Sequence, residues 1–155
     1  GLLSIGATTP AGFGALPSHW EIYARKAMEN GRKAQRAKWT LVAPMHLAET
    51  REKALHQVLT GIDQYGPLYA EMGITPSLLS REALIETLIE NGFAVVGTPD
   101  DAIEQINRLL AQTGGFGKLL LPANHWANAR DTLQSYALFS RTVIAHFKAT
   151  GPSSQ

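Results

Sequence analysis

The stretch Gly92-Phe-Ala-Val-Val-Gly97-Thr-Pro-Asp-Asp101-Ala-Ile103, followed by Gly114-Gly-Phe-Gly-Lys-Leu-Leu-Leu121, decides the fold class. Its brief apolar run precedes a helix start in which Thr98 caps, Pro99 takes the first helical position and two carboxylates meet the positive end of the helix dipole. The helix should run to about Gln112, because two glycines follow it, and the second apolar run should be a strand. This order of strand, helix and strand predicts a right-handed parallel unit.

Similar alternation continues towards both ends of the chain. We predict the following further elements: strands at Leu2 to Ala7 and Trp39 to Leu47, a loop at Thr8 to Pro17, and helices at His19 to Ala34, Glu49 to Tyr65, Arg81 to Glu90 and Ala129 to Lys148. The pattern predicts an α/β fold with parallel strands. Because three firm strands make a sheet too narrow for these helices to cover, we expect the C-terminal portion of a (β/α)8 TIM-type barrel.

Composition excludes several classes of function. With 45% hydrophobic and 17% charged residues, the 155-residue chain is typical of a folded globular protein. A formal net charge of +1 gives no concentrated basic face for nucleic acid, and no apolar run is long enough to span a membrane. The absence of cysteine excludes disulfides and thiolate chemistry and fits a cytoplasmic protein. Because the five histidines lack metal-ligand spacing, we expect no metal site.

Four segments resemble, in order and spacing, the bacterial luciferase-like family of flavin-dependent monooxygenases. Besides the Gly-Thr-Pro-Asp-Asp helix start and the strand that follows it, Trp39-Thr-Leu-Val-Ala-Pro-Met-His-Leu-Ala-Glu-Thr-Arg-Glu-Lys-Ala54 is similar to the penultimate strand and its helix. Tyr136-Ala-Leu-Phe-Ser-Arg-Thr-Val-Ile-Ala-His-Phe147 resembles the closing helix. The nearest subgroup is the limonene- or alkane-monooxygenase-like one. The resemblance implies that residues 1–150 are a C-terminal segment of a barrel domain and residues 151–155 a disordered tail.

The resemblance also implies a chemistry. Enzymes of this family use reduced FMN, often supplied by a separate NAD(P)H-dependent flavin reductase, and O2 to oxidise a small organic substrate. Members are about twice as long as this chain, so we expect a missing N-terminal barrel segment, or a homo-oligomer formed through open strand edges, as a partner. As an isolated fragment the chain is expected to be inactive.

Chemistry in a barrel is carried by the carboxyl ends of its strands. At the end of the last strand we predict His125 as a catalytic donor to the flavin, with Asn124 and Trp126 as cofactor-binding residues. The alternative is that Asn124 caps the last helix and Trp126 packs beneath it.

Two other strand ends contribute candidate residues. At the first, Ser4 and Thr8 are predicted to contact the flavin, and Phe13 to contact substrate from a mobile cover formed by the loop at Thr8 to Pro17. At the second, His46 is predicted to contact substrate, with simple hydrogen bonding in place as its alternative.

Two other functions are compatible with the residues alone. One is a self-contained small α/β domain that binds protein partners through its sheet edge. The other is a barrel enzyme of non-flavin chemistry with a phosphate site.

Overall fold

A computed structural model describes residues 1–150, so the predicted tail at 151–155 lies outside the described residues. Its elements occur in the order β1 (Leu2–Ser4), α1 (Pro10–Glu29), β2 (Trp39–Val42), β3 (Met45–Leu47), α2 (Arg51–Val58), α3 (Gly66–Glu71), α4 (Arg81–Glu90), β4 (Val95–Gly97), α5 (Pro99–Thr113), β5 (Lys118–Leu120), α6 (Ala129–Leu138) and α7 (Ala145–Thr150). A π-helical segment, Phe139–Ile144, joins α6 to α7, and two 3-10 turns occupy Arg36–Lys38 and Ile62–Tyr65. None of the helices within this range is both long enough and apolar enough to cross a bilayer.

All strand pairs are parallel, which confirms the predicted α/β class. One sheet has the order β1-β2-β5, and a second pairs β3 with β4. The two sheets share one extended stretch of chain, because β2 and β3 are separated only by Ala43 and Pro44. The Ala43 N–H donates to the Leu120 carbonyl, and the Pro44 carbonyl accepts from Val95 N–H. The stretch therefore changes its neighbour from β5 to β4 at the proline, which cannot donate to a ladder.

Two buried clusters cover different parts of these sheets. The first packs Trp39 and Leu41 of β2 against α1, α5 and the π-helical segment. The second places Val96 of β4 beneath α2 and α4, together with Trp126.

Part of the three-stranded sheet remains bare. Leu3 and Ile5 are 53% and 69% exposed, and Leu120 is 49% exposed. In register, Leu3 lies beside Thr40 and Lys118, so these side chains share one face. A sheet face that leaves three large apolar side chains open to water is a surface that another part of a fold ordinarily covers.

The prediction of a loop at Thr8 to Pro17 is wrong, because α1 begins at Pro10. Thr9 caps the helix by accepting from Gly12 N–H at 3.0 Å, and Pro10 fits the first helical position. Pro17 lies inside the helix and deprives the Phe13 carbonyl of its usual N–H donor. The side-chain amide of Gln112 in α5 donates to that carbonyl at 3.1 Å instead. A tertiary hydrogen bond thus makes the internal proline tolerable, and a mobile cover is not present here.

Other boundaries differ less. Helix α2 ends at Val58 rather than Tyr65, and the chain then continues through the 3-10 turn into α3, which begins at Gly66. The apolar run at residues 93–96 leads into strand β4, and the predicted strand at Trp39 to Leu47 is divided into β2 and β3, so the chain has five strands within the described residues. The predicted limits of α4 are confirmed, and Ser80 caps it by accepting from Ala83 N–H.

Candidate active site at the carboxyl ends of the strands

The turn after β1 holds a buried hydroxyl with no protein partner. Thr8 is 1% exposed, and its Oγ1 makes no hydrogen bond to any described residue. It precedes the cap of α1, a 20-residue helix without an acidic residue in its first turn. The positive end of this helix dipole is therefore not neutralised locally. By contrast, the start of α5 is filled by Asp101, whose Oδ2 accepts from the Thr98 N–H and hydroxyl.

Ser4 and Phe13 already contact other residues of the chain. The Ser4 hydroxyl oxygen accepts from Trp39 Nε1 at 3.0 Å, and Ser4 is buried. The Phe13 ring lies under the Arg108 guanidinium, whose central carbon is 4.1 Å from the ring centroid. The predicted roles of both residues in binding remain predictions.

The segment after β5 is held by its backbone, which leaves the imidazole of His125 exposed. His125 N–H donates to the Tyr65 hydroxyl at 3.1 Å, and the His125 carbonyl accepts from Gln64 Nε2 at 3.2 Å. Half-buried Asn124 donates its N–H to Pro122. Asn124 does not cap α6, because Asn128 does so by accepting from Asp131 N–H at 2.9 Å.

Trp126 is 1% exposed and belongs to the second core. Its Nε1 donates to the Tyr69 hydroxyl at 3.1 Å, and burial raises the pKa of that phenol to about 12. The burial of the indole matches the alternative interpretation of Trp126 as a packing residue, and its role as a wall of the flavin site stays a prediction.

His46 lies in β3 and is buried, with Nε2 2.9 Å from Gln57 Oε1 of α2. This contact matches the alternative reading of His46 as a residue hydrogen-bonded in place. Burial lowers the pKa of His46 below its usual 6.5, and the Gln57 hydrogen bond and the charge of Asp131 offset part of this shift. His46 is therefore a neutral imidazole near pH 7, and Gln57 is a neighbour that sequence reasoning missed.

The lowered pKa makes stability depend on pH in a defined direction. The imidazole of His46 binds a proton more readily in the unfolded chain than in the folded one. The free energy of unfolding is therefore highest above about pH 6.5 and decreases as the pH falls below that value. The loss is at most about 1.4 kcal/mol per pH unit and stops at the folded pKa. Urea unfolding should be measured at about pH 7.5 and about pH 5.5. Between these two pH values, the free energy of unfolding should decrease less in His46→Gln than in the wild type. His125→Gln, at an exposed imidazole, should keep the wild-type dependence. An unchanged pH dependence in His46→Gln would contradict the assignment.

A cavity of about 160 Å³ opens beside His46 at the carboxyl end of β3; we call it the Gln57 cavity. It is lined by Leu47, Ala48, Glu49, Gln57, Gln134, Ala137, Leu138 and Arg141. Helix α6 is fixed against this strand end because Leu47 N–H donates to the Ser135 hydroxyl at 2.8 Å. Neither Ser135 nor Arg141 was singled out from the sequence, since nothing near them in the chain reveals a partner about ninety residues away.

Apart from His46, which lies in β3 against Gln57, the predicted site residues form two groups. Ser4, Thr8 and Phe13 lie around the junction of β1 and α1, whereas His125 and Trp126 lie beside the turn before α3. Both groups follow the ends of parallel strands, as active-site residues do in α/β folds.

Comparisons with known proteins give this arrangement a context. The chain is 39% identical over 153 residues to limonene 1,2-monooxygenase of Rhodococcus erythropolis, covering 95% of this chain and 38% of that protein. It is 33% identical to 4-hydroxyprotoasukamycin monooxygenase of Streptomyces nodosus subsp. asukaensis, covering 87% and 37% of the two chains. No protein-family model matches.

A solved structure shows the same likeness in three dimensions. The oxygenating constituent of 3,6-diketocamphane monooxygenase from Pseudomonas putida, a type II Baeyer-Villiger monooxygenase in complex with FMN, superposes with a TM-score of 0.67 and 30% identity over 83% of this chain and 39% of that one. The chain therefore spans between a third and two fifths of the length of these relatives. Together these matches confirm the resemblance seen in the motifs: the chain is similar to the C-terminal part of a bacterial luciferase-like flavin-dependent monooxygenase.

Proposed function

We propose that this chain is part of a flavin-dependent monooxygenase that uses reduced FMN and O2 to oxidise a small organic substrate. The observation that carries the proposal is the 39% identity to limonene 1,2-monooxygenase, which extends over 95% of this chain. Part of the site is supplied by the strand ends described above.

The bare sheet face supports the further proposal that the chain is the C-terminal portion of a (β/α)8 barrel. In a closed parallel barrel the inner face of each strand packs against side chains from the other strands. Leu3, Ile5 and Leu120 are apolar, exposed and suited to that position. Alone, the chain lacks the strands that would cover them, so we expect it to be inactive without its missing segment.

We infer that the start of α1 contributes to binding the phosphate of FMN. A phosphate is favoured by a helix dipole and by hydroxyl and N–H donors, and it is repelled by carboxylates. Helix α1 offers its dipole, the unpartnered Thr8 hydroxyl and a first turn free of acidic residues, whereas Gly12 N–H already donates to Thr9 Oγ1 and Pro10 has no N–H. We therefore keep Thr8 as a cofactor-binding residue and His125, with its exposed imidazole, as the candidate donor to the flavin. When bound, the reduced flavin supplies the electrons that activate O2.

The complete enzyme needs a source of reduced flavin. A separate NAD(P)H-dependent flavin reductase, together with a cytoplasmic location, completes the proposal.

Complementation tests the proposal. We would co-express the chain with the remaining segment of the limonene 1,2-monooxygenase relative and titrate the purified complex with FMN by fluorescence. The complex should bind FMN, whereas the chain alone should not. Thr8→Val should weaken FMN binding about tenfold, the value of one hydrogen bond to a charged group.

Thr75→Val is the matched control, because Thr75 is also a buried threonine whose hydroxyl has no partner among residues 1–150. It lies outside the proposed site and should leave FMN binding unchanged. A complex that forms but binds no FMN would overturn the flavin assignment. Failure to form any complex, with the chain folded and monomeric, would instead favour a self-contained domain.

A further inference from the structure

The volume of the Gln57 cavity limits it to a small ligand. Its volume of about 160 Å³ resembles that of an apolar protein cavity known to hold benzene, at about 150 Å³. Four of its lining residues are apolar, and three of these, Leu47, Ala48 and Leu138, are less than 9% exposed. The floor thus suits a ring or a short hydrocarbon body.

One amide in its wall has an unused donor. Gln57 is only 8% exposed, and its Oε1 faces the Nε2 of His46 at 2.9 Å. The amide nitrogen makes no hydrogen bond to a described residue. This nitrogen is not among the fully enclosed polar atoms without a partner, so it is accessible from the cavity and can donate to an oxygen of a ligand or of water.

The cavity wall carries one carboxylate, Glu49, and one guanidinium, Arg141. The Lys53 hydrogen bond, with Nζ 2.7 Å from Glu49 Oε2, is the main cause of the lowered pKa of Glu49, and the nearby charge of Arg141 is a smaller one. Arg141 is exposed, lies in the π-helical segment and forms no direct ion pair with a residue in 1–150. A guanidinium and an amide donor facing one small space match a carboxylate, which accepts from both.

We propose that the Gln57 cavity binds a small carboxylate, with its hydrocarbon body on the Leu47–Leu138 floor and its oxygens on Arg141 and Gln57. The proposal does not depend on flavin chemistry, because no residue assigned to FMN lines this cavity. Gln57 lies between the ligand and His46. Its side-chain oxygen is hydrogen-bonded to the His46 imidazole, so its amide nitrogen is the group that donates to the ligand.

The test is a titration of the chain with benzoate, followed by heteronuclear NMR, with benzamide as a neutral probe of the same shape. Benzoate should shift resonances of residues that line the cavity and bind at least about tenfold more tightly than benzamide. Arg141→Met should weaken benzoate binding about tenfold or more, in keeping with the loss of a charged hydrogen bond. Arg130→Met is the matched control, because Arg130 is an exposed arginine of α6 outside the cavity.

Gln57 is tested by two variants, since Gln57→Leu removes a buried hydrogen bond and can fail to fold. Gln57→Glu keeps an acceptor for His46 but faces the ligand with a carboxylate, so it should abolish benzoate binding in a folded protein. Equal binding of benzoate and benzamide, equal losses in Arg130→Met and Arg141→Met, or no shift at the cavity with wild-type chain would each overturn the proposal.

Discussion

Trp126→Ala is expected to lower the free energy of unfolding by about 3–5 kcal/mol, the range for removing a large aromatic side chain from a core. The indole is 1% exposed within the second core, where its contacts are with helices rather than with an open site. Its Nε1 also donates to the Tyr69 hydroxyl, which would lose this partner inside the core. Urea denaturation followed by far-UV circular dichroism measures the change.

Two companion variants separate packing from polarity. Trp126→Phe keeps most of the ring volume but loses the hydrogen bond, so it should cost less, about 1–3 kcal/mol. His125→Ala, one residue away at an exposed side chain, should change stability by less than about 0.5 kcal/mol. A loss under about 1 kcal/mol in Trp126→Ala would contradict the packing role and return the indole to the candidate flavin site.

The sequence predicted the fold best where a local signal and the tertiary structure agree. The capped start at Thr98 and the glycines after Thr113 set the limits of α5 by interactions within a few residues. The same holds for α4, which begins after the Ser80 cap and is followed by the left-handed Gly92. Elements of this kind need no distant partner, so their bounds follow from the chain itself.

The start of α1 carries the same Thr-Pro signal as α5, at Thr9 and Pro10, but the prolines and glycines around it led to the prediction of a loop. Prolines and glycines at residues 10–17 are typical of a loop, and the helix persists because a distant glutamine satisfies the carbonyl that Pro17 leaves unpaired. Phe13 was consequently assigned to a cover loop, whereas its ring packs against Arg108 of α5. Local propensity is overridden here by contacts about a hundred residues away.

The candidate site also combines features that follow from the local sequence with features that depend on distant contacts. The ends of the parallel strands could be located from the pattern, and Thr8 and His125 do lie there. The state of each side chain could not be predicted, because it depends on partners from other elements. Trp126 is buried by Tyr69, and His46 is bound to Gln57. Arg141 reaches the Gln57 cavity only because α6 packs against β3.

Arg36→Ala is expected to cost about 2–4 kcal/mol, the second-largest effect, because one side chain joins three elements. Its guanidinium lies 4.4 Å above the centroid of Trp20 in α1, and the Trp20 ring stacks on buried Trp39. The same group donates to the carbonyls of Thr113 and Gly115, which end α5 and lead into β5. The cation–π contact contributes about 0.5–1 kcal/mol, and the charged hydrogen bonds about 1.5–3 kcal/mol.

Arg36→Lys separates these contributions. Lysine keeps the positive charge over Trp20 but has a single nitrogen that cannot span both carbonyls, so it should recover about half of the loss. Arg32→Ala is the control, because Arg32 is exposed nearby and makes no hydrogen bond through its side chain to a described residue. Arg36 and its partners lie at the amino ends of β2 and β5, opposite the candidate site. Arg36→Ala should therefore reduce the free energy of unfolding in urea without changing benzoate affinity in the folded protein. A variant that weakens benzoate binding but leaves stability intact would show that the two ends of the sheet are coupled, contrary to this division between stability and binding.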